Sequence, residues 1–134
     1  MRLVADANVL LAALLGGRAK AVLQHPEIEE LLTPEATFAE IQEYALILAR
    51  KKRLPLDTML LALAALPVSV VEREVYANAL PQARKRIAQR DPDDIDVLAL
   101  TLHMRLPLWT NDNDFEGTGI EWYTTAELLR KLRL

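Results

Sequence analysis

Carboxylates gather at three places along this sequence. Asp6 ends the apolar run Leu3-Val4-Ala5, and two later stretches, Asp91-Pro92-Asp93-Asp94-Ile95-Asp96 and Thr110-Asn111-Asp112-Asn113-Asp114-Phe115, are densely acidic. Like charges repel where they converge, so a fold that gathers them usually supplies a cation. The chain has no cysteine, and its two histidines, His25 and His103, are isolated. That argues against thiolate and histidine-rich zinc sites. An all-oxygen donor set suits a hard cation such as Mg²⁺ or Mn²⁺. The chemistry this implies is phosphodiester hydrolysis. One ion at such a site would lower the pKa of the attacking water, and two ions about 3.5–4 Å apart could also stabilise the leaving oxygen; the sequence leaves one or two ions open.

Such residues work only if the elements around them bring them together. Leu3-Val4-Ala5 reads as a buried strand, and a helix follows over 9–15, stopped by Gly16-Gly17. A second short helix fits 19–24 before Pro26. Leu31-Leu32-Thr33 reads as the second strand. Thr33 is placed to cap the helix that Pro34 opens. That helix runs through Phe38, Ile41, Ala45, Leu48 and Ala49, and its basic end, Arg50-Lys51-Lys52-Arg53, suits the helix dipole. A further apolar helix is expected over 55–66, then a β-branched strand over 68–71. A short helix over 72–80 and a basic amphipathic one over 81–89 follow. Residues 93–104 form a strong helix with Ile95, Leu98, Ala99 and Leu102 on one face. A fourth strand fits 106–109 and a fifth fits Trp122-Tyr123. Thr124 and Glu127 form a capping box that opens a last helix to 133. Strands alternating with helices predict one α/β domain over 1–134, built on a mostly parallel sheet of four to five strands. In such sheets the active site lies beyond the carboxyl ends of the strands, where Asp6 and Asp112 fall.

Composition sets the remaining bounds. A chain of 134 residues with 51% hydrophobic residues can bury a substantial core. No apolar run approaches the roughly 18 residues of a membrane span, and the N-terminus reaches Asp6 too soon for a signal peptide. A cytoplasmic protein without membrane contact is expected. The formal net charge is −3, whereas nucleic-acid binders usually carry a basic excess. Bound cations would change the local sign. Two basic clusters, Arg50 to Arg53 and Arg84-Lys85-Arg86 with Arg90, could each meet a polyanion or form a solvated helix face.

The acidic stretches and their neighbours resemble the PIN-domain family, the group that includes VapC-type toxin ribonucleases. Asp6-Ala7-Asn8 after the first strand resembles that family's first motif. Glu40 within Thr33-Pro34 to Ile41 resembles the second, and Asp93-Asp94 before Val97-Leu98-Ala99-Leu100 the third. Leu108-Trp109-Thr110-Asn111-Asp112-Asn113-Asp114-Phe115 resembles the fourth. The four motifs occur in order and span nearly the whole chain. The resemblance implies a three-layer fold and metal carboxylates at Asp6, Glu40, Asp94 and Asp112. Asp114 is a fifth candidate, acting directly or through water, and Asn8 would orient Asp6. It further implies a Mg²⁺- or Mn²⁺-dependent endoribonuclease acting on single-stranded RNA, a small antitoxin as a possible protein partner, and a homodimer. The apolar helix over 55–66 also favours the dimer, since it carries more Leu and Met than a core of this size hides.

Other readings stay open at this point. Asp6 could simply cap the next helix, Glu40 could complete a capping box with Thr37, and Asp112 could be a turn residue. On an ideal helix Asp93 and Asp96 lie about 100° and 200° from Asp94, so the three should not face one ion. Asp91 would cap that helix or be solvated. His103 is expected near the surface and Trp109 in the core. Two rival functions remain. One is a PIN-like domain that binds RNA or protein without catalysis. The other is an aspartyl-phosphate phosphatase or receiver domain. A phosphatase of that kind usually has a second Asp where Asn8 stands, and a receiver wants a Lys that the last strand lacks.

Overall fold

The computed structural model describes residues 1–87 and 91–133. Five strands form one sheet in the order β3-β2-β1-β4-β5. They are β1 (Arg2–Ala5), β2 (Glu30–Pro34), β3 (Ser69–Val71), β4 (Leu108–Trp109) and β5 (Trp122–Tyr123). Every pairing is parallel. Parallel strands need crossovers, and helices supply them. These are α1 (Ala7–Leu14), α2 (Arg18–Leu23), α3 (Glu35–Lys51), α4 (Leu56–Ala64), α5 (Arg73–Tyr76), α6 (Leu80–Ile87), α7 (Ile95–Met104) and α8 (Thr125–Lys131).

Side-chain alternation along each strand divides the core into two layers. Leu3, Ala5, Leu31 and Trp109 face one side, where they meet apolar residues of α1, α2, α3, α4 and α8. Val4, Leu32 and Leu108 face the other, against Tyr76, α6 and α7. The result is a helix–sheet–helix sandwich, as expected for the PIN fold. α7 is held from both sides, and five consecutive residues from Val97 to Thr101 are buried. It ends where Arg105 turns left-handed (φ 55°) and returns its N–H to Thr101 at 3.0 Å. Trp109 is fully buried, and its indole N–H donates to the Thr125 hydroxyl at 3.0 Å. His103 is exposed.

Several sequence expectations shift. Thr33 does not cap α3: β2 runs on through Pro34, which pairs with Val71, and the Thr33 hydroxyl donates to the Ala5 carbonyl at 3.0 Å. The strand partner outcompetes the cap because that hydroxyl is fully buried between β1 and β2. Thr37 lies inside α3 and is buried, so it forms no capping box with Glu40. The helix expected over 93–104 begins instead with a 3₁₀ turn, Pro92–Asp94, and becomes α-helical at Ile95. The short helix expected over 72–80 divides into α5 and a 3₁₀ turn, Ala77–Ala79. α6 carries Arg84, Lys85 and Arg86 on its exposed side; Arg90 and the end of the basic helix expected over 81–89 lie outside the described residues. The capping box of α8 forms as expected, with Thr124 and Glu127 bonded reciprocally. Among the described residues no helix is long and apolar enough to cross a membrane.

Candidate active site

The register of β1 and β4 sets the first part of the site. Ala5 lies beside Trp109, so Asp6 and Thr110 leave the sheet side by side at its carboxyl edge. The Asp6 N–H donates to the Trp109 carbonyl at 3.1 Å. Asp6 is buried and accepts from the Ala7 N–H at 2.8 Å and from the Thr110 hydroxyl at 2.8 Å. It therefore does cap α1, yet its second carboxylate oxygen faces the loop after β4. Asn8 ties the two loops together. Its amide N–H₂ reaches Asp6 at 3.3 Å and Thr110 at 3.1 Å, and its carbonyl accepts from the Asn111 N–H at 3.1 Å. Thr110 in turn accepts from the Asp112 N–H at 3.1 Å, and Asp112 accepts from the Asp114 N–H at 2.9 Å. Short polar bonds fix the fourth acidic stretch against the first.

The third stretch enters from α7. Asp91 caps the 3₁₀ turn by accepting from the Asp93 N–H at 3.0 Å. That turn presses Asp94 inward to 7% exposure, and its Oδ2 is buried with no hydrogen-bond partner among the described residues. A buried acceptor without a partner is costly and usually has a reason. One carboxylate oxygen each from Asp91, Asp94 and Asp114 lies within 4.8 Å of the others. Asp6, Glu40, Asp91, Asp93, Asp94 and Asp112 all line one open cleft of about 260 Å³ with Asn8 and Tyr44. No Lys or Arg among the described residues lines it.

Electrostatics follow from this crowding. Burial, with Asp6, Asp91, Asp112 and Asp114 adding repulsion, pushes the Asp94 carboxyl up to about 8. Burial also raises Asp6, against the opposing pull of its bonds to Thr110 and Ala7. Glu40, half-buried on α3, is raised by burial and then by Asp93, Asp6 and Asp91. Metal-free, the raised Asp94 carboxyl favours a bound proton at neutral pH. The buried, unpartnered Asp94 oxygen and the all-oxygen surroundings fit a hard divalent ion.

The structure brings Asp6, Glu40, Asp94 and Asp112 to the same cleft, and Asp114 approaches Asp94. Two neighbours depart from the expectation. Asp93 lines the cleft beside Glu40 rather than turning away, because a 3₁₀ turn advances about 120° per residue and not the 100° of an α-helix. Asp91, read as a cap or a solvated acid, is a cap that also stands beside Asp94 and Asp114. Pro92 was the available signal, since proline at the first position of a turn fixes where the helix begins. Asp96 leaves the group. It accepts from the Tyr76 hydroxyl at 2.6 Å and pairs with Arg73 at 3.4 Å, which ties α5 to α7.

Comparison with known proteins agrees with this fold. A sequence profile of the PIN domain matches residues 4–133. None of the curated proteins matches the chain significantly. Among solved structures, VapBC2 from Rickettsia felis, bound to a DNA fragment from its promoter, is similar with TM-score 0.73 and 12% identity, over 92% of this chain and 98% of that one. A toxin–antitoxin complex from Klebsiella pneumoniae matches with TM-score 0.69 and 21% identity, over 92% and 97%. VapC20 from Mycobacterium tuberculosis, a toxin that cleaves the sarcin–ricin loop, matches with TM-score 0.57 and 20% identity, over 88% and 95%. At these identities the likeness is one of fold.

Proposed function

The chain belongs to the PIN-domain family, and from that membership we propose that it is a Mg²⁺- or Mn²⁺-dependent endoribonuclease acting on single-stranded RNA. The observation that carries the reading is the Asp94 Oδ2, buried and lacking a partner among the described residues, on a carboxyl whose burial, with repulsion from its acidic neighbours, raises its pKa to about 8. A site built only for stability would give that buried oxygen a hydrogen-bond partner.

The residues divide the work. Asp91, Asp94 and Asp114 would hold a cation, with Asp6 and Asp112 at its side. When bound, the cation supplies positive charge that polarises the phosphate and acidifies the attacking water. Asp94 gives up the proton it carries at neutral pH and becomes a carboxylate donor. Asn8 and Thr110 orient Asp6, which keeps one oxygen directed to the cleft while the other serves α1. Glu40 lies on the more open wall with a raised pKa and is suited to accept the proton of the attacking water at its carboxylate.

Cleavage of a single-stranded RNA in Mg²⁺ or Mn²⁺, compared between wild type and Asp94→Asn, tests this. A loss of orders of magnitude in rate with the fold retained is expected. Equal rates would remove the mechanism.

Partners follow the same reading. The toxin–antitoxin complex of the Klebsiella relative supports a small antitoxin as a protein partner. Leu60 and Leu61 on α4, and Leu46 and Ile47 on α3, are exposed apolar side chains, which supports a homodimer. The protein would act in the cytoplasm.

A further inference from the structure

The acid cleft does not end at Glu40. It opens into a second groove of about 470 Å³, and Glu40, Tyr44 and Asp93 line both. α3 forms one wall of the groove. Pro92, Asp93 and Asp96 form the other. The remaining charged lining residue is Glu43, and no Lys or Arg among the described residues lines it. Phosphate is therefore a poor occupant, since it would meet Glu40, Glu43 and Asp93 with no cation among the described lining residues, and Asp96 already paired with Arg73. Whatever part of an RNA strand enters must be neutral.

Tyr44 makes a nucleobase the natural candidate. Of the aromatic side chains in this chain, Tyr44 alone is exposed, at 49%. Trp109, Tyr76 and Phe115 are fully buried, and the others are partly covered. Its hydroxyl has no hydrogen-bond partner among the described residues. Unstacked bases of single-stranded RNA bind by stacking on such rings and by hydrogen bonds from their edges. Carboxylates only accept hydrogen bonds. The groove thus suits a base edge rich in N–H donors. Guanine offers adjacent N1–H and N2–H₂ donors, while uracil offers one N–H between two carbonyls that carboxylates repel.

We propose that this groove is a nucleobase subsite next to the scissile phosphate, with Tyr44 as its stacking platform and Glu43 and Asp93 as acceptors that favour guanine over uracil. The proposal rests on the ribonuclease reading and adds its specificity.

A coupling experiment separates the two. Short single-stranded RNAs are prepared with guanine, uracil or an abasic nucleotide at each position in turn, and cleavage is measured with wild type, Tyr44→Ala and Tyr44→Phe. At one position Tyr44→Ala should raise KM about ten-fold or more for the guanine substrate, within the usual range for base–aromatic stacking. At that position the abasic substrate should be insensitive to Tyr44→Ala, and Tyr44→Phe should restore most of the wild-type KM. Guanine should be bound better than uracil there, and Glu43→Gln should narrow the difference. An equal penalty on the abasic substrate would overturn the stacking role, and uracil bound as well as guanine would overturn the acceptor edge. If wild type cleaves none of these RNAs, the ribonuclease reading fails. Fluorescence anisotropy of the same RNAs still decides the subsite, which stands if Kd shows the same coupling and falls if it does not. Loss of binding to an arginine-rich peptide in Tyr44→Ala, with RNA affinity unchanged, would assign the groove to a protein cation and overturn the proposal.

Discussion

Replacing Asp94 by asparagine should make the metal-free protein more stable while destroying its chemistry. Asp94 has its carboxyl raised from an ordinary 3.8 to about 8 in the folded protein. Between those values the folded state keeps a proton that the unfolded chain has lost. Stability therefore falls as pH rises through this window, because the native state binds more protons than the unfolded one. At 1.36 kcal/mol per pH unit, the interval of about four units sets a ceiling of about 6 kcal/mol. The cleft is open to water and several carboxylates share the repulsion, so a third of this survives, about 2 kcal/mol. In a chain of 134 residues that is on the order of 5–10 °C in melting temperature. The amide removes the titration and is nearly the same size. Wild type and Asp94→Asn should melt together near pH 4, in metal-free buffer, and diverge as pH rises, with the variant higher by pH 9. Added Mn²⁺ should then raise wild type, since a ligand bound only by the folded state stabilises it, and should raise the variant far less. RNA cleavage should vanish in the variant. The assay is differential scanning fluorimetry from pH 4 to pH 9, with chelator and then with Mn²⁺. Parallel pH curves for the two proteins would refute the reasoning, as would a variant less stable than wild type at pH 9.

Other residues give further outcomes. Asp91→Asn should weaken Mn²⁺ binding by ten-fold or more in calorimetry, an order-of-magnitude expectation for loss of a charged ligand; unchanged affinity would return Asp91 to the role of a cap. Asn8→Ala removes its bonds to Asp6, Thr110 and Asn111 and should cost about 1–3 kcal/mol in urea denaturation, with a larger fractional loss of cleavage than of fold. Tyr76→Phe leaves Asp96 without its 2.6 Å bond and should lower stability by about 1–2 kcal/mol while kcat stays near wild type; a collapse of kcat would place Asp96 in the chemistry. Leu61→Lys at the most exposed large apolar side chain among the described residues, 71% accessible, should shift the protein from dimer to monomer by light scattering. A wild type that is already monomeric at micromolar concentration would end the dimer reading.

The sheet was legible because its strands are short, apolar and bounded by helix signals. Leu3-Val4-Ala5, Leu31-Leu32 and Leu108-Trp109 are buried on both faces, as parallel strands require. Their order was not legible. Nothing local says that β1 sits between β2 and β4, yet that neighbourhood is what sets Asp6 beside Thr110. Thr33 shows the same limit. Its spacing before Pro34 suits a cap, but the hydroxyl found a better partner in Ala5, 28 positions away.

The acidic site divides along the same line. Asp6, Asp94 and Asp112 sit at ends of elements, and element ends can be read from apolar runs. Asp91 and Asp93 could not be sorted by assuming an ideal helix from Asp93 onward. The 3₁₀ turn at Pro92–Asp94 changes the angular step, so one extra acid faces the cleft and another reaches Asp94 from the cap position. This turn does more than start α7. With Asp91 holding the Asp93 N–H, it fixes the backbone from which Asp94 is pressed inward. Tyr76 and Arg73 hold Asp96 two residues further on and keep it from joining the crowd. The third acidic stretch thus has four carboxylates with separate positions: a cap, a groove wall, a buried acid with an unpartnered oxygen, and a structural tether. Sequence spacing alone makes them look interchangeable, and the geometry of one short turn separates them.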